Sequence, residues 1–202
     1  MDESVLITYA KEGDLTAFNR LVLAYQDLAY NVAYRVMGDP ASADDATQEA
    51  FISAYRKINS YRGGSFKAWL LRIVTNACYD ELRRRKRRPT TALEPAGKNN
   101  EEMESPAWLT DPGESPEESA SRTELANAIQ RCLEDLEADF RVVVVMVDVQ
   151  GLDYRETATA IAKPLGTVKS RLARARARMQ DCLQGYGELL PSIYRLEGET
   201  YG

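Results

Sequence analysis

An acidic, proline-rich stretch divides the chain into two apolar blocks, and this division limits the possible folds more than any other feature. Residues 89–121 contain five prolines, eight acidic residues and one lysine, with Trp108–Leu109 as the largest apolar pair. Such a segment buries too little apolar surface to offset the entropy lost on ordering. We therefore interpret residues 89–121 as a flexible acidic linker between domains at 1–88 and 122–183, with a C-terminal tail at 184–202.

The first block has the apolar spacing of helices. Apolar residues recur every three or four positions over residues 18–36, and Gly-Asp-Pro at 38–40 ends that stripe. Ser42 or Asp44 is placed to cap the next helix. A third stripe over residues 66–88 runs into six consecutive basic residues and stops at the first proline of the linker. The block therefore predicts a small helical domain.

Residues 153–179 have the form of a helix-turn-helix. A short helix to about residue 162 precedes a turn at residues 163–166, after which Thr167 can cap a longer basic helix. At 100° per residue, the longer helix has an apolar stripe, formed by Val168, Leu172, Ala175 and Met179. Its opposite face has the small residues and single arginine that fit a major groove, namely Ser170, Ala173, Arg174 and Ala177. Cations that suit the flanking phosphates are Lys169, Arg171, Arg176 and Arg178.

The run from Val142 to Val147 is ambiguous by composition, because its β-branched residues favour a strand. No partner strand is available, the surroundings are helical, and Gly151 is placed as a C-cap. We therefore predict a buried helix here. The expected fold class is all-α, with two small helical domains joined by the linker.

The cysteine and histidine content excludes much of enzyme chemistry. Histidine is absent, which excludes Ser-His-Asp triads and imidazole acid–base catalysis. Three cysteines about fifty residues apart, an odd number, argue against a disulfide framework and against common zinc sites. We expect Cys78, Cys132 and Cys182 to be buried apolar residues, and we expect no cofactor and no metal.

The charge and hydropathy patterns indicate a cytoplasmic protein. The longest apolar run has six residues, far short of the roughly 20 of a membrane span. Asp2 and Glu3 stand where a signal peptide would be basic, so we expect no membrane insertion. The overall charge of −5 combines −7 over residues 89–121 and −3 over residues 181–202 with two mildly basic blocks, +3 over residues 1–88 and +2 over 122–180.

Two stretches match, in order and spacing, the motifs of one family. The first runs Asp45-Ala46-Thr47-Gln48-Glu49-Ala50-Phe51-Ile52 and continues with Tyr61-Arg62-Gly63 and Trp69-Leu70. The second includes Pro164-Leu165-Gly166-Thr167-Val168-Lys169-Ser170-Arg171-Leu172. Together they resemble extracytoplasmic-function (ECF) sigma factors of bacterial RNA polymerase, over about residues 5–185. Ala162 stands where the family usually has glycine, and Thr157 where it usually has an aliphatic residue.

The resemblance implies a transcription initiation factor that is not an enzyme. It would bind core polymerase, direct it to promoters and help melt the −10 element. The clamp helices of the polymerase largest subunit would be contacted by Asp45, Gln48, Glu49, Ala50 and Arg56. An anti-sigma factor is a further implied partner, and the linker would follow the RNA exit path.

The resemblance also assigns two DNA-binding regions. In the −10 region, a loop at residues 60–66, here termed the melting loop, would hold an unstacked base, a task suited to aromatic and polar groups. The implied −10 residues are Tyr61, Arg62, Gly63, Gly64, Ser65, Phe66, Arg72, Asn76, Arg83 and Arg84. Trp69 fits either the core or a base stack. The implied −35 residues are Thr167, Lys169, Ser170, Arg171, Ala173, Arg174 and Arg178.

Two alternatives remain open. A stand-alone helix-turn-helix regulator would explain residues 153–179 but leave the motifs of the first block unused. A metal-dependent nuclease would need a carboxylate cluster, for which Asp44, Asp45 and Glu49 are the candidates.

Overall fold

The computed structural model describes residues 2–87 and 116–190, without side-chain detail at 116–118. Residues 89–115 of the predicted linker and residues 191–202 of the predicted tail therefore lie outside the described residues. The described part consists of α-helices with short 3₁₀ and π turns and contains no strand. The predicted all-α class is confirmed.

Four helices form the N-terminal domain, residues 2–87. They are α1 (Glu3–Lys11), α2 (Leu15–Met37), α3 (Pro40–Lys57) and α4 (Phe66–Arg87). A 3₁₀ turn at Ile58–Ser60 leads from α3 into the melting loop. The long helices α2, α3 and α4 pack against one another, so that residues 66–79 of α4 are buried on most sides and retain only a narrow exposed stripe, whereas residues 83–87 are exposed.

Asp39, and not the predicted Ser42 or Asp44, caps α3. Its Oδ1 accepts a hydrogen bond of 2.9 Å from the backbone N–H of Ser42, while Pro40 occupies the first helical position. Proline suits that position because its φ is already helical and the amide it lacks would be unpaired there. The helix consequently begins earlier than the side-chain pattern predicts.

Gly38 allows the sharp turn between α2 and α3. Its φ of 84° is left-handed, as is common after the last residue of a helix. A Cβ at this position would also lie 2.9 Å from Oε1 of Glu134 in the other domain. The left-handed φ therefore favours glycine at this position, whereas the flexible Glu134 side chain can move away from a Cβ.

The C-terminal domain, residues 116–190, contains α5 (Pro116–Glu134), α6 (Ala138–Val144), α7 (Tyr154–Ala160) and α8 (Leu165–Gln184). Residues 116–121, interpreted from the sequence as linker, belong to α5. A proline that indicated linker is here the first helical residue, where proline is favoured. After α8, a short 3₁₀ turn within the predicted tail packs against α5.

The predicted buried helix at residues 142–147 is confirmed. Val142 to Met146 are buried in α6 and in the π turn at Val145–Val149 that extends it. Gly151 follows with a φ of 69°, which ends the helical segment.

The expectation that all three cysteines are unpaired is wrong. Cys132 of α5 and Cys182 of α8 form a disulfide across 50 residues of sequence. Sequence spacing identifies cysteines that lie close together along the chain, whereas Cys132 and Cys182 meet only because α5 and α8 pack side by side. Cys78 is free and buried, and burial raises the pKa of its thiol to about 12.

The two domains share a contact in which α4 packs against α7 and α2 packs against α5 and α6. Their buried apolar residues form one continuous cluster. Polar contacts cross the same boundary: Lys67 Nζ donates to the carbonyl of Gln150 at 2.6 Å, and Arg141 donates to the carbonyl of Val36. We refer to this packing of one domain on the other as the closed arrangement.

Among the described residues, no helix combines the length and the apolarity needed to cross a membrane.

Candidate functional site

The helix-turn-helix is formed by α7 and α8. Asp153 and Glu156 make a reciprocal capping box at the start of α7, with Oδ1 of Asp153 2.7 Å from the backbone nitrogen of Glu156. Ala162 lies in the turn with a φ of 52°, the only positive φ of a non-glycine residue in the described parts of the chain. This left-handed backbone explains physically why glycine suits the position.

Thr167 does not cap α8 as predicted. The helix begins at Leu165 with Pro164 as the preceding cap residue, so Thr167 already lies in the first turn and is half-buried. Its carbonyl accepts a hydrogen bond of 3.0 Å from the Ser170 hydroxyl. The helix therefore starts three residues nearer the turn than a Thr167 cap predicts.

The predicted division of α8 into a core face and an exposed face is observed. Val168, Leu172 and Ala175 are buried, and Met179 packs against them. The opposite side is exposed and consists of Lys169, Ser170, Ala173, Arg174 and Ala177. This shape, small residues around one arginine, suits insertion into a major groove.

The cations of α8 differ in whether they already have acidic partners. Arg171 pairs with Asp139, Arg176 with Asp148, and Arg178 with Glu137; their acidic partners lie on or near α6. Within the described parts of the chain, Lys169 and Arg174 make no ion pair or side-chain hydrogen bond. These two side chains are therefore the cations of this face that are ready to meet an anionic ligand.

In the melting loop, two predicted contact residues point inwards. Phe66 is 2% exposed and Tyr61 is also buried; their rings pack with Trp69 at centroid distances of 5.3 and 5.6 Å. The Tyr61 hydroxyl donates to the carbonyl of Gly64 at 2.6 Å, and burial raises the pKa of this phenol. The prediction that Tyr61 and Phe66 contact a base directly is therefore corrected, because both rings are buried and support the loop from beneath.

The outer part of the melting loop is exposed. Arg62, Gly63, Gly64 and Ser65 face solvent, and both glycines have positive φ values, 97° and 90°. Ser65 Oγ also accepts a hydrogen bond of 3.1 Å from the backbone N–H of Ala68, which caps α4. The exposed part of the loop therefore consists of backbone groups and one cation, and it lies above the packed rings of Tyr61, Phe66 and Trp69.

One exposed stripe of α4 continues from the loop. Arg72 and Asn76 are exposed as predicted, and Trp69 is half-buried one turn before them. Further along, Arg83 and Arg84 are exposed but lie near acidic residues: Arg83 is 3.5 Å from Asp80, and Arg84 is 2.6 Å from Glu81. Trp69 thus takes part in both the aromatic cluster and the exposed stripe.

The predicted polymerase-contacting surface of α3 requires one correction and one addition. Asp45, Gln48, Glu49 and Arg56 are exposed, but Ala50 is completely buried, because it lies a quarter-turn or more away from the others. Ile52 is 47% exposed in the middle of this stripe. The exposed set, here termed the α3 surface, is Asp45, Gln48, Glu49, Ile52 and Arg56.

The sequence contains a signal that identifies Ile52. At 100° per residue it falls about 20° from Asp45 and about 40° from Arg56, on the side opposite Ala54. Assigning an apolar residue to a polar face requires this angle to be calculated, since its residue type alone indicates the core.

Across residues 2–87 and 116–190, no group of three or more cysteine, aspartate or glutamate residues is placed to hold a metal ion. The carboxylates suggested for a nuclease therefore do not converge in that part of the chain.

Comparisons with known proteins match both domains in order. The family description "Sigma-70 region 2" matches residues 21–88, and "Sigma-70, region 4" matches residues 126–179. ECF RNA polymerase sigma factor SigE of Mycolicibacterium smegmatis is 36% identical over 169 residues, which are 84% of this chain and 62% of that protein. RNA polymerase sigma-H factor of Pseudomonas aeruginosa is 36% identical over 180 residues, 89% of this chain and 92% of that protein.

Among solved structures, the sigma factor RpoE of Bartonella quintana, in complex with the anti-sigma factor NepR, has a similar fold. Its TM-score is 0.63 at 25% identity, covering 84% of this chain and 98% of that chain. The sequence matches, the order of the two domains and the helix-turn-helix geometry agree. The chain belongs to the ECF sigma factors of the sigma-70 family.

Proposed function

We propose that this sigma factor, a transcription initiation factor and not an enzyme, recognises the −35 element through the exposed face of α8. The observation that carries the proposal is the exposure of Lys169 and Arg174 beside small side chains. Arg174 lies at the centre of the face, where it reaches a base edge or its neighbouring phosphate. Lys169 lies at the flank, where phosphates are expected.

In this proposal, Arg171 and Arg178 contact DNA phosphates only after they leave their carboxylate partners in the free protein. Arg178 is held by Glu137 in an exposed ion pair, whereas Arg171 is half-buried and is held by Asp139. Exposed ion pairs contribute little to stability, so a DNA phosphate can replace Glu137 at small cost, while the release of Arg171 also costs its partly buried contact with Asp139. Thr167 and Ser170 lie at the start of α8, where backbone N–H groups favour anions.

The −10 element is assigned to the melting loop and the exposed stripe of α4. Arg62, Gly63, Gly64 and Ser65 provide exposed backbone and polar groups for an unstacked base. Arg72 and Asn76 extend the contact along α4, and the more distant Arg83 and Arg84 hold phosphates. In this proposal, Tyr61 and Phe66 fix the loop from beneath, and Trp69 offers its exposed edge.

Core polymerase is assigned to the α3 surface. Its acidic and amide side chains surround the apolar Ile52, an arrangement in which a polar rim encloses an apolar centre. The partner element is the pair of clamp helices in the polymerase largest subunit. Because the polymerase acts in the cytoplasm, we place this factor there.

An inhibitory partner is part of the proposal. The Bartonella relative was solved with an anti-sigma factor, and the closed arrangement brings the two domains within reach of one small protein. We propose that an anti-sigma factor binds this chain; metal analysis of a co-purified complex would show whether any zinc belongs to that partner, since this chain has no histidine.

Run-off transcription with bacterial core polymerase, with and without this chain, tests the function. Arg174→Ala should cost about 1–3 kcal/mol in promoter binding and relax sequence preference, whereas Lys169→Ala should weaken all promoters alike. Equal, sequence-independent losses from both variants would contradict the assigned roles.

A gel shift without polymerase tests the alternative of a stand-alone regulator. Strong, specific promoter binding by the chain alone would favour that alternative, whereas binding that requires core polymerase supports the sigma-factor function. The α3 surface offers a second discrimination, since Asp45→Ala with Gln48→Ala should reduce transcription only through loss of polymerase binding.

A further inference from the structure

Helix α1 and the melting loop enclose a surface groove of about 610 Å³. Helix α1 lies outside residues 21–88, the part matched by the region 2 description. One wall of the groove comes from α1 and the other from the segment that begins at Asn59; the wall residues include Ile7, Thr8, Lys11, Asn59, Arg62 and Gly64.

Lys11, the last residue of α1, contacts the first part of the melting loop. Its Nζ donates to the carbonyl oxygen of Tyr61 at 2.8 Å and lies 5.3 Å from the centroid of the Tyr61 ring. The contact joins residues 50 positions apart and is partly shielded from solvent. A charged donor thus holds the backbone at the point where the chain turns outwards.

The same helix supports the far end of the loop. Near its N-terminus, Glu3 accepts a hydrogen bond from the Tyr25 hydroxyl, and the Tyr25 ring packs edge-on against Phe66 at 5.4 Å between centroids. Between these two supports, Gly63 and Gly64 have open space where a Cβ would be. Helix α1 therefore holds both ends of a segment whose centre is exposed and glycine-rich.

We propose that Lys11 is a positioning residue for promoter melting: by fixing the carbonyl of Tyr61, it sets the direction in which Arg62 and the two glycines meet an unstacked nucleotide. The inference rests on the proposed −10 role of the loop. Capture of a flipped base must offset the cost of unstacking it, and a loop held in its binding conformation loses less entropy on capture.

The test compares Lys11→Met, Lys11→Arg and the wild type in open-complex formation with core polymerase, followed by 2-aminopurine fluorescence in the −10 element. Loss of a charged hydrogen bond should slow opening of duplex promoter about tenfold. Arginine can donate to the same carbonyl and should restore the rate. On a template already mismatched across the −10 element, all three proteins should perform alike.

Lys57→Met is the matched control. Lys57 is exposed, lies at the end of α3 close to the same loop, and makes no side-chain hydrogen bond or ion pair within the described residues. Its replacement removes one positive charge near the loop without removing a support, so the opening rate should stay at the wild-type value. An equally slow opening rate in Lys57→Met would show that the lost positive charge, and not the lost hydrogen bond, causes the defect, and it would overturn the proposal.

Trypsin cleavage after Arg62 gives a readout without DNA. Lys11→Met should speed this cleavage, because the loop loses a support, while the thermal unfolding midpoint stays close to that of the wild type. Faster cleavage with an unchanged opening rate would show that Lys11 is merely structural and would overturn the proposal. If the wild type itself fails to open the promoter with core polymerase, the proposed function is wrong, which is a distinct outcome.

Discussion

The Tyr79 hydroxyl of α4 donates a hydrogen bond of 3.0 Å to Oδ1 of Asp139 in the other domain, and the second carboxylate oxygen of Asp139 pairs with Arg171 of α8. One carboxylate thus connects the helix assigned to the −10 element with the helix assigned to the −35 element. Burial and the nearby Asp139 carboxylate raise the pKa of Tyr79, so the phenol stays protonated and continues to donate. The closed arrangement therefore has a specific polar contact in addition to its apolar core.

Removal of two cross-domain hydrogen bonds should open the closed arrangement. Tyr79→Phe deletes the bond to Asp139, and Lys67→Met deletes the bond to the carbonyl of Gln150. Hydrogen bonds to charged groups contribute about 1.5–3 kcal/mol each, so each change should shift the closed-to-open ratio by about tenfold or more. Small-angle X-ray scattering of the double variant should give a larger radius of gyration than the wild type.

Tyr9→Phe combined with Lys57→Met makes the same chemical changes at exposed positions and should leave the scattering profile unchanged. A double variant at Tyr79 and Lys67 that keeps the wild-type radius would contradict the assigned role of these bonds.

Reduction of the Cys132–Cys182 disulfide should destabilise the C-terminal domain. The bond closes a loop of about 50 residues, for which the chain-entropy relation gives about 4 kcal/mol at 25 °C. Urea unfolding with and without a non-thiol reductant should reveal a difference of this order.

Thiol counting supplies the control for that experiment. The unreduced protein, denatured before labelling, should expose a single reactive thiol, that of Cys78. The paired variant Cys132→Ala with Cys182→Ala should unfold identically with and without reductant. Three reactive thiols in the unreduced protein would show that the disulfide is absent.

Thr157→Val should stabilise the protein. Thr157 is fully buried in α7, and its hydroxyl oxygen has no hydrogen-bond partner among the described residues. An unsatisfied buried polar group costs about 1–3 kcal/mol, and valine has nearly the same shape. Chemical denaturation should give a higher free energy of unfolding by about 1 kcal/mol or more.

Thr75→Val is the matched control. Thr75 is also buried in a helix, but its hydroxyl donates to the carbonyl of Leu71 at 2.6 Å. The same substitution removes a satisfied bond there and should leave stability unchanged or slightly lower. Stabilisation of equal size at both positions would point to helix or packing effects and contradict the argument.

Helix positions and the two faces of α8 could be predicted because they depend on local periodicity. The stripe of Val168, Leu172 and Ala175 follows directly from 3.6 residues per turn, and its burial is observed. The same arithmetic places Lys169 and Arg174 on the exposed side. Features that involve one helix at a time are accessible from one sequence.

Features that depend on how helices meet were not accessible in the same way. The disulfide requires α5 and α8 to be neighbours, and the inward direction of Tyr61 depends on its packing against Phe66 and Trp69 of α4. The contact of α4 with α7 likewise leaves no recognisable pattern in the sequence of either helix. Tertiary packing decides these features, and local patterns carry little information about it.

Ala162→Gly should stabilise the helix-turn-helix. The left-handed backbone at Ala162 costs a residue with a Cβ about 1–2 kcal/mol, part of which glycine loses again through its greater entropy when unfolded. A net gain of about 0.5–1 kcal/mol in unfolding free energy is expected. Ala177→Gly, at an exposed position inside α8, should instead lower stability by about 1 kcal/mol. Destabilisation by both changes would contradict the strain argument.

Ile52→Asp should abolish binding to core polymerase without unfolding the protein. Ile52 is 47% exposed on the α3 surface, so the aspartate carboxylate can remain hydrated in the free protein. In a complex it would be buried against the partner, and burying an unpaired charge is costly. A loss of affinity of at least about tenfold, or 1.4 kcal/mol, should appear in binding measurements, with an unchanged unfolding midpoint. Leu23→Asp, at a residue of α2 that is 67% exposed, introduces the same charge outside the α3 surface and should bind normally; equal losses from both variants would show that the α3 surface is not where the polymerase docks.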